Sequence, residues 1–409
     1  MANLIAPFAN AKPEEIALVD DFGETTWTDF NERVNQLVHA LRDKGLKTGD
    51  AFAVVSGNRR EYFEAFAAAA HGGWLLVPVN WHLVAKEVAY ILADSGSKAL
   101  LVDSRFVELA EATMLQPERP NLDVVVIMGT EADTFADETE QAVSYEAFLS
   151  EQATAEPEDQ LLGGPMFYTS GTTGHPKGVK SGLSQTGAPV DVLKMIGEGI
   201  SGMLGIASGG KSLLVGPVYH SAQWAFSFLP LLAGTSVVMR HKFDGEEVLR
   251  LIDQYQITNT HLVPTQFTRM LRLGDGIRKA FDGSSLGVVW HGAAPCPPQI
   301  KRRMIEWWGP VINEYYGSTE GSIVTTVSSE DWLSRPGTLG KPVAIMEILV
   351  IKEDGSHAVA GESGTLYVKN LMGSDFEYHN APEKTSDAHL EPGVFTFGDV
   401  GYLDQDGYL

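Results

Sequence analysis

The sequence predicts an α/β protein built on mostly parallel sheets. Between residues 50 and 102, short apolar runs alternate with amphipathic helical segments, which is typical of parallel strands joined by helical crossovers. A similar alternation follows between residues 213 and 314. From Thr338 onward the pattern changes to short strands and turns, which indicates a small β-barrel or twisted sheet. A chain of 409 residues is long enough for two or three such domains.

The individual elements follow from the spacing of the apolar residues. Residues 16–19 and 25–27 flank a turn and predict a hairpin, and Thr28 is the predicted N-cap of the helix that follows. Residues 117–160 are acidic and poorly periodic, apart from one apolar run, and are predicted to form a solvated excursion. Strands are predicted at residues 50–55, 74–79, 99–102, 124–127, 213–217, 260–265, 286–290 and 311–314, and helices at residues 58–70, 84–94 and 244–255.

Composition and charge exclude several classes of partner. The net charge of −23 argues against nucleic acid or an anionic membrane as a partner. Cys296 is the single cysteine, so no internal disulfide forms and a reducing compartment is favoured. The N-terminus lacks the basic and apolar regions of a signal peptide, and the longest apolar stretch, residues 65–79, is interrupted. We expect a cytoplasmic protein without stable membrane insertion.

The densest chemical signal is the stretch YTSGTTGHPKGV at residues 168–179. Glycines let backbone N–H groups approach an anion closely, hydroxyls donate to phosphate oxygens, and a lysine adds a mobile positive charge. No helix begins at the lysine, so this is not a Walker A loop. The stretch predicts a loop that binds a polyphosphate through Thr169, Ser170, Gly171, Thr172, Thr173, Gly174 and Lys177.

A second motif follows the predicted strand at residues 311–314. Tyr316, Thr319 and Glu320 are expected on the turn after that strand. An aromatic face can stack on adenine, a hydroxyl can reach a phosphate, and a carboxylate can hold Mg²⁺. The motif therefore indicates a nucleotide site.

Together these residues resemble the acyl-adenylate-forming superfamily, which includes acyl-CoA synthetases, luciferases and the adenylation domains of peptide synthetases. The loop at residues 168–179 is similar to its signature loop, and Tyr316-Gly317-Ser318-Thr319-Glu320 is similar to its Tyr-Gly-x-Thr-Glu motif. The resemblance implies two αβ subdomains, residues 1–190 and 191–330, and a distorted β-barrel subdomain, residues 331–409. It also implies that the chain is the large N-terminal domain of a longer enzyme, without the small C-terminal domain.

The resemblance assigns roles to single residues. Tyr316 and the turn Gly292-Ala293-Ala294 would hold adenine, with Glu314, Tyr315, Gly317 and Ser318 beside them. Asp399 would accept hydrogen bonds from the ribose hydroxyls. Thr319 would contact the α-phosphate, and Glu320 would hold Mg²⁺. The residues expected to act in catalysis are Lys177, His220, Thr319 and Glu320.

The acyl pocket is predicted around His220, which would orient the substrate carboxylate. Relatives that activate amino acids place an aspartate here, whereas Tyr219-His220-Ser221 offers no carboxylate to a buried ammonium group. The substrate is therefore expected to be a simple carboxylic acid, aliphatic, cyclic or aryl. Glycines between residues 197 and 205 either make room for a bulky acid or allow close packing. The predicted pocket residues are His220, Ser221, Trp224, Gly202, Gly205 and Thr265.

The implied reaction is an ATP-dependent acid–thiol ligation, in which an acyl-AMP forms and CoA then displaces AMP. The ligands are a small carboxylic acid, ATP, Mg²⁺ and CoA, and a homodimer is left open. The basic groups around Arg269 to Lys279 and at residues 301–303 would either contact the CoA phosphates or form solvated helix faces. The isolated chain is expected to be weakly active or inactive. Two alternatives are a ligase that performs only thioesterification of a preformed acyl-adenylate, and a non-catalytic module that binds acyl-adenylate.

Overall fold

The computed structural model describes residues 4–129, 142–169 and 175–409. The chain divides into two compact units. Unit 1 holds Met1–Gly178 and Leu183–His241, and unit 2 holds Val179–Gly182 and Lys242–Leu409. Each unit is described by itself below.

Unit 1 alternates helices with short strands, as the spacing of apolar residues predicts. Its helices are α1 Ala6–Ala11, α2 Trp27–Asp43, α3 Arg60–Gly72, α4 Ala85–Ser95, α5 Val107–Met114, α6 Tyr145–Ser150, α7 Asp191–Met203, α8 Ser221–Ala225 and α9 Phe228–Leu232. Its strands are β1 Ile16–Val19, β2 Glu24–Thr26, β3 Ala51–Val55, β4 Leu75–Val79, β5 Ser97–Asp103, β6 Val124–Met128, β7 Ala142–Ser144, β8 Gly164–Pro165, β9 Phe167–Thr169, β11 Lys211–Leu214 and β12 Ser236–Met239; β10 Lys177–Lys180 continues into unit 2.

A six-stranded sheet in the order β7-β6-β5-β3-β4-β8 organises unit 1, and all its neighbouring strands run parallel. Successive residues of a strand point to opposite faces of the sheet. On β3, Phe52 and Val54 enter one hydrophobic cluster, whereas Ala51, Ala53 and Val55 enter another. The sheet is thus buried on both faces, which explains why its central strands are continuously apolar. Four further strands of the unit are ordered β11-β12-β1-β2.

Unit 2 combines a parallel core with antiparallel additions. Its helices are α10 Gly245–Tyr255, α11 Pro264–Leu271, α12 Asp275–Ala280, α13 Pro298–Trp308, α14 Ser329–Ser334 and α15 Pro382–Ala388. Its strands are β13 Asn259–Leu262, β14 Val288–His291, β15 Ile312–Ser318, β16 Ser322–Val327, β17 Lys341–Pro342, β18 Met346–Ile351, β19 Gly364–Asn370, β20 Glu377–Tyr378, β21 His389–Glu391 and β22 Val394–Gly401.

The strands of unit 2 form two main layers. Strands β13, β14 and β15 are parallel, and β16 and β17 extend this sheet antiparallel. Strands β18, β19, β22 and β21 form an antiparallel sheet of four in that order. The short β20 pairs antiparallel with the end of β10. The predicted α/β class with mostly parallel sheets is therefore confirmed, whereas the division into three subdomains stays a prediction.

One helix start was predicted wrongly. Helix α2 begins at Trp27, and its N-cap is Thr26 rather than Thr28, because the Thr26 hydroxyl accepts the backbone N–H of Asp29 at 3.1 Å. Thr28 lies inside the first turn. Two threonines separated by one residue carry the same capping signal, and the hydrogen bond from the Asp29 N–H identifies Thr26 as the cap.

The buried His71 predicts a loss of stability in weak acid. It lies in the last turn of α3, and neither ring nitrogen has a hydrogen-bond partner among the described residues. Burial lowers the pKa of His71 to about 4. The unfolded chain takes up a proton near pH 6.5, whereas the native state does not until about pH 4, so stability present above pH 6.5 is lost as the pH falls between these values.

We expect this histidine to cost about 2 kcal/mol of unfolding free energy between pH 7 and pH 5. Urea unfolding at both pH values measures it, and His71→Leu should remove that share of the pH dependence. His357→Gln, at an exposed position of unit 2, is the matched control and should leave the slope unchanged. An unaltered slope in His71→Leu would contradict the assignment.

Candidate functional site

The second sequence motif lies on a hairpin of unit 2. Strand β15 pairs antiparallel with β16, with a bulge between Tyr316 and Gly317. Tyr316 therefore belongs to the strand and not to the turn, which corrects the sequence prediction. A Cβ atom on Gly317 would lie 1.9 Å from the carbonyl oxygen of Ser322, so the two strands approach more closely there than any other residue permits.

The turn of this hairpin is held by a side chain of its own. Residues Ser318 and Ser322 pair across it, which leaves Thr319, Glu320 and Gly321 as the loop. The Ser318 hydroxyl accepts the backbone N–H groups of Glu320 and Gly321, both at 3.1 Å. Ser318, predicted beside the nucleotide, thus fixes the backbone that carries Thr319 and Glu320.

Two predicted site residues that lie 83 positions apart come together in unit 2. The Tyr316 hydroxyl donates to Oδ2 of Asp399 at 2.7 Å. Burial raises the pKa of Tyr316, and the carboxylate of Asp399 raises it further, so the phenol stays protonated and donates. Asp399 lies within β22, on an exposed stretch of the strand, and not in a turn.

Glu320 has a partner that the sequence analysis missed. The Tyr378 hydroxyl donates to Oε1 of Glu320 at 3.0 Å. Burial raises the pKa of Tyr378, and Glu320 raises it further. Tyr378 lies 58 positions along the chain in a two-residue strand, so no periodic pattern could reveal the contact.

The predicted adenine turn follows β14. Gly292 is buried, and a Cβ atom there would lie 2.5 Å from the ring of Tyr315, so only glycine fits against that ring. Ala293 adopts a positive φ of 61°, and both it and Ala294 are exposed. The Tyr315 hydroxyl lies 3.1 Å from Nε2 of the buried His261. The ring of Tyr315 therefore packs against the buried side of the turn, at Gly292.

Glu314 of β15 forms a buried ion pair with Lys301 of α13. Nζ of Lys301 donates to Oε2 of Glu314 at 2.6 Å, and the lysine side chain is fully buried. Burial raises the pKa of Glu314 and lowers that of Lys301. The prediction that Lys301 either contacts CoA phosphates or lies on a solvated face is therefore wrong. On α13 it shares a buried face with Met304, Ile305 and Trp308, and this helical spacing is the signal that reveals it.

The phosphate loop is described only at its two ends, both in unit 1. Thr169 ends β9 and is half-buried, and Lys177 begins β10. Ser170, Gly171, Thr172, Thr173 and Gly174 lie outside the described residues. The Tyr168 hydroxyl donates to Oδ2 of Asp94 at 2.7 Å, which anchors the strand that enters the loop. Beyond the loop, the ring of His175 stacks on that of Tyr90 at 4.5 Å.

His220 is the N-cap residue of α8 in unit 1. The chain before it is fixed by the buried Asn58, which accepts the N–H of Val218 at 2.9 Å and donates to the carbonyl of Gly216 at 2.8 Å. His220 is an exposed residue, yet partial desolvation lowers its pKa, and the nearby His82 lowers it further. The imidazole is therefore neutral at pH 7.

The other predicted pocket residues differ in their surroundings. Trp224 is buried and packs against Phe66, Phe167 and Phe228 in the core of unit 1. Ser221 is the half-buried first residue of α8. Gly202 and Gly205 are exposed, and the space that a Cβ atom would take at either position is open. Thr265 is exposed on the first turn of α11 in unit 2.

Within residues 4–129, 142–169 and 175–409, no three His, Cys, Asp or Glu side chains are grouped to hold a metal. In the same part of the chain, no helix combines the length and the apolar character that crossing a membrane requires.

A match to a known protein family classifies the chain. The family described as AMP-binding enzyme matches residues 6–372. The chain belongs to this family. The resemblance inferred from the two motifs is thereby confirmed.

Curated relatives of this chain are named as acyl-CoA ligases. The chain is 28% identical to the 3-oxocholest-4-en-26-oate–CoA ligase of Rhodococcus rhodochrous, over 100% of its own length and 76% of the relative's. It is 29% identical to the indoleacetate–CoA ligase of Aromatoleum aromaticum, over 98% of this chain and 76% of that one. The 2-succinylbenzoate–CoA ligase of Bacillus subtilis is 27% identical, with 100% and 76% covered.

Solved structures share the fold of this chain. The N-terminal domain of FACL13 from Mycobacterium tuberculosis superposes with a TM-score of 0.83 at 25% identity, and 100% of this chain and 99% of that chain are covered. The anthranilate CoA ligase AuaEII, solved with anthranoyl-AMP, has a TM-score of 0.86 at 23% identity, with 99% and 76% covered, and is similar in fold.

Proposed function

We propose that this chain forms the core of an enzyme that adenylates a carboxylic acid with ATP and transfers the acyl group to CoA. Membership of the AMP-binding family and the acyl-CoA ligases among its relatives support the reaction class. The observation that carries the proposal is the 2.7 Å hydrogen bond from Tyr316 to Asp399. It brings together a ring suited to adenine and a carboxylate suited to ribose hydroxyls, from motifs far apart in the sequence.

The proposed reaction has two displacements. A carboxylate oxygen of the acid attacks the α-phosphorus of ATP, and the bond to the bridging oxygen breaks, releasing pyrophosphate and leaving acyl-AMP. The thiolate of CoA then attacks the acyl carbon, and AMP leaves with the electron pair of the acyl–oxygen bond. The first step brings two anions together, so positioning and charge neutralisation are the main tasks of the protein.

Each task has candidate residues. Lys177, Thr169 and the loop residues between them would bind the polyphosphate, and Thr319 would contact the α-phosphate. Tyr316 and the turn at residues 292–294 would hold the base, and Asp399 would accept from the ribose hydroxyls. Glu314 and Tyr315 would support these groups from inside unit 2, through their contacts with Lys301 and His261.

The donor set of unit 2 fits Mg²⁺. The Glu320 carboxylate is a hard oxygen donor on a turn whose backbone the Ser318 hydroxyl holds. Mg²⁺ is usually held by one or two carboxylates, with substrate phosphates and water completing its coordination, so a single protein carboxylate can serve as its anchor. When bound there, Mg²⁺ would neutralise phosphate charge and thereby favour attack at phosphorus.

The acid is proposed to lack a charged amine. His220, neutral at pH 7, can donate one N–H to a carboxylate without forming an ion pair. Its neighbours Tyr219 and Ser221 carry no negative charge that could balance an ammonium group. The acids for which the three relatives are named differ widely, so they do not select one acid for this chain.

Acid-dependent release of pyrophosphate tests the reaction. A full-length protein that carries this chain is incubated with ATP, Mg²⁺ and a panel of aliphatic, cyclic and aryl acids, and acyl-AMP and acyl-CoA are identified by mass spectrometry. If ATP and the acids release no pyrophosphate but a supplied acyl-AMP is converted to acyl-CoA, the result would instead favour a ligase that performs only thioesterification. Calorimetry with a sulfamoyl mimic of acyl-AMP reports binding without turnover, and failure to bind any mimic would overturn the proposal.

Asp399→Asn should weaken the binding of AMP about tenfold or more. The change removes the charge that strengthens hydrogen bonds from the ribose hydroxyls, a contribution of roughly 1.5–3 kcal/mol for a charged acceptor. Asp387→Asn, at an exposed position of α15, makes the same change in charge and should bind AMP as the unmodified chain does. Equal affinities in both variants would contradict the ribose assignment.

A further inference from the structure

We propose that Tyr378 is a positioning residue for the carboxylate of Glu320, and that it sets the Mg²⁺ dependence of ATP binding. The proposal rests on the proposed function, in which Glu320 holds Mg²⁺. The contact that carries it is the hydrogen bond from the Tyr378 hydroxyl to Oε1 of Glu320 at 3.0 Å.

Tyr378 is itself held firmly by backbone contacts. Its N–H donates to the Thr385 hydroxyl at 2.9 Å, and its carbonyl accepts the N–H of Ala381 at 3.1 Å. Its ring packs edge-on against the buried Phe376, with the centroids 5.1 Å apart. The position of the phenol is therefore fixed before any ligand arrives.

Glu320 needs such a partner. The Ser318 hydroxyl fixes the backbone of the turn but does not fix the glutamate side chain, whose rotatable bonds allow several orientations. A phenol donor selects the rotamers that bring Oε1 within its reach. A carboxylate offers about four acceptor positions, so one hydrogen bond leaves its capacity for a cation largely intact.

The same tyrosine also links Glu320 to the strand that follows the phosphate loop. Strand β20 pairs antiparallel with β10, so that Tyr378 lies opposite Val179 and Glu377 lies opposite Lys180. Val179 is two residues beyond Lys177, the cation proposed to bind polyphosphate. One backbone ladder and one side-chain hydrogen bond thus connect this strand to the proposed metal carboxylate.

Tyr378→Phe tests the proposal because it removes the hydroxyl and keeps the ring. The binding of ATP is measured by calorimetry at increasing Mg²⁺ concentrations, without acid or CoA. We expect the Mg²⁺ concentration that gives half-maximal ATP binding to rise about five- to tenfold, because the freed Glu320 side chain must then be ordered on binding. AMP binding without Mg²⁺ should change less than twofold, which also shows that the variant is folded.

Two further variants separate this inference from the proposed function. Tyr402→Phe, at an exposed tyrosine of unit 2, should leave both titrations unchanged. Glu320→Gln should abolish the stimulation of ATP binding by Mg²⁺, and adding Tyr378→Phe to it should cause no further loss, because both changes act on one interaction. If Glu320→Gln retains the stimulation, the proposed metal role fails. If it loses the stimulation while Tyr378→Phe titrates like the unmodified chain, the positioning role of Tyr378 is overturned.

Discussion

Lys301→Met is expected to destabilise unit 2 by about 3–5 kcal/mol, the usual cost of removing one partner of a buried ion pair. Its ammonium group lies 2.6 Å from Oε2 of Glu314, and neither side chain is more than 6% exposed. Methionine has a similar length but no charge, so the change leaves Glu314 buried without its cation. The ring of Trp332 lies 4.8 Å from Nζ, and its fluorescence provides a signal for urea unfolding.

The pH dependence of this variant distinguishes a lost charge partner from lost packing. Burial already raises the pKa of Glu314, and loss of Lys301 should raise it further above its value in the unfolded chain. The native variant then binds more protons than the unfolded chain between these two pKa values. Its stability relative to the unmodified chain should therefore recover as the pH falls through this window and decline as the pH rises.

A double variant provides the matched control. Lys301→Met with Glu314→Leu removes both charges and should recover most of the lost stability, because an apolar pair no longer carries an uncompensated charge. A single variant within about 1 kcal/mol of the unmodified chain would show that the pair contributes no more than an exposed one.

Gly317→Ala is expected to weaken AMP binding at least tenfold and to destabilise the hairpin by about 1–3 kcal/mol, the range seen for overpacking. The added Cβ would meet the carbonyl oxygen of Ser322 at 1.9 Å. That atom belongs to the opposite strand and cannot move by changing a rotamer. The hairpin would have to open at the bulge beside Tyr316, displacing the ring that is proposed to hold adenine.

Gly276→Ala is the control for this change. Gly276 lies in α12 of the same unit, and nothing stands within 4 Å of the position its Cβ would take. Alanine is favoured over glycine in helices by up to about 1 kcal/mol, so this variant should be as stable as the unmodified chain or slightly more stable. AMP calorimetry and urea unfolding of the two variants provide the comparison, and equal behaviour would refute the steric argument.

Much of the fold could be predicted because burial on both faces leaves a direct pattern in the sequence. Every side chain of the runs at Ala51–Val55 and Leu75–Val79 is apolar, and a strand can bury all of them only in a sheet that is covered on both faces. Element ends were less predictable. Thr26 and Thr28 have the same chemistry, and the position of one backbone N–H decides which of them caps the helix.

The candidate site divides along similar lines. The glycines, hydroxyls and lysine of residues 168–177 are visible in the sequence itself, as are Tyr316 and Glu320. Tyr378 was missed because its role depends on a contact across 58 positions between two very short segments. Lys301 was misassigned because its neighbours Arg302 and Arg303 are exposed, and a run of basic residues hides that its first member faces inward.

The phenol–carboxylate contact between Tyr316 and Asp399 has a consequence for selectivity. Under the proposed assignment, the tyrosine whose ring stacks on the base also donates its hydroxyl hydrogen to the carboxylate that accepts hydrogen bonds from the ribose hydroxyls. Stacking on the base and recognition of the ribose hydroxyls are then thermodynamically coupled. A change at Tyr316 should alter the preference for ribose over deoxyribose, and a change at Asp399 should alter the affinity for the base.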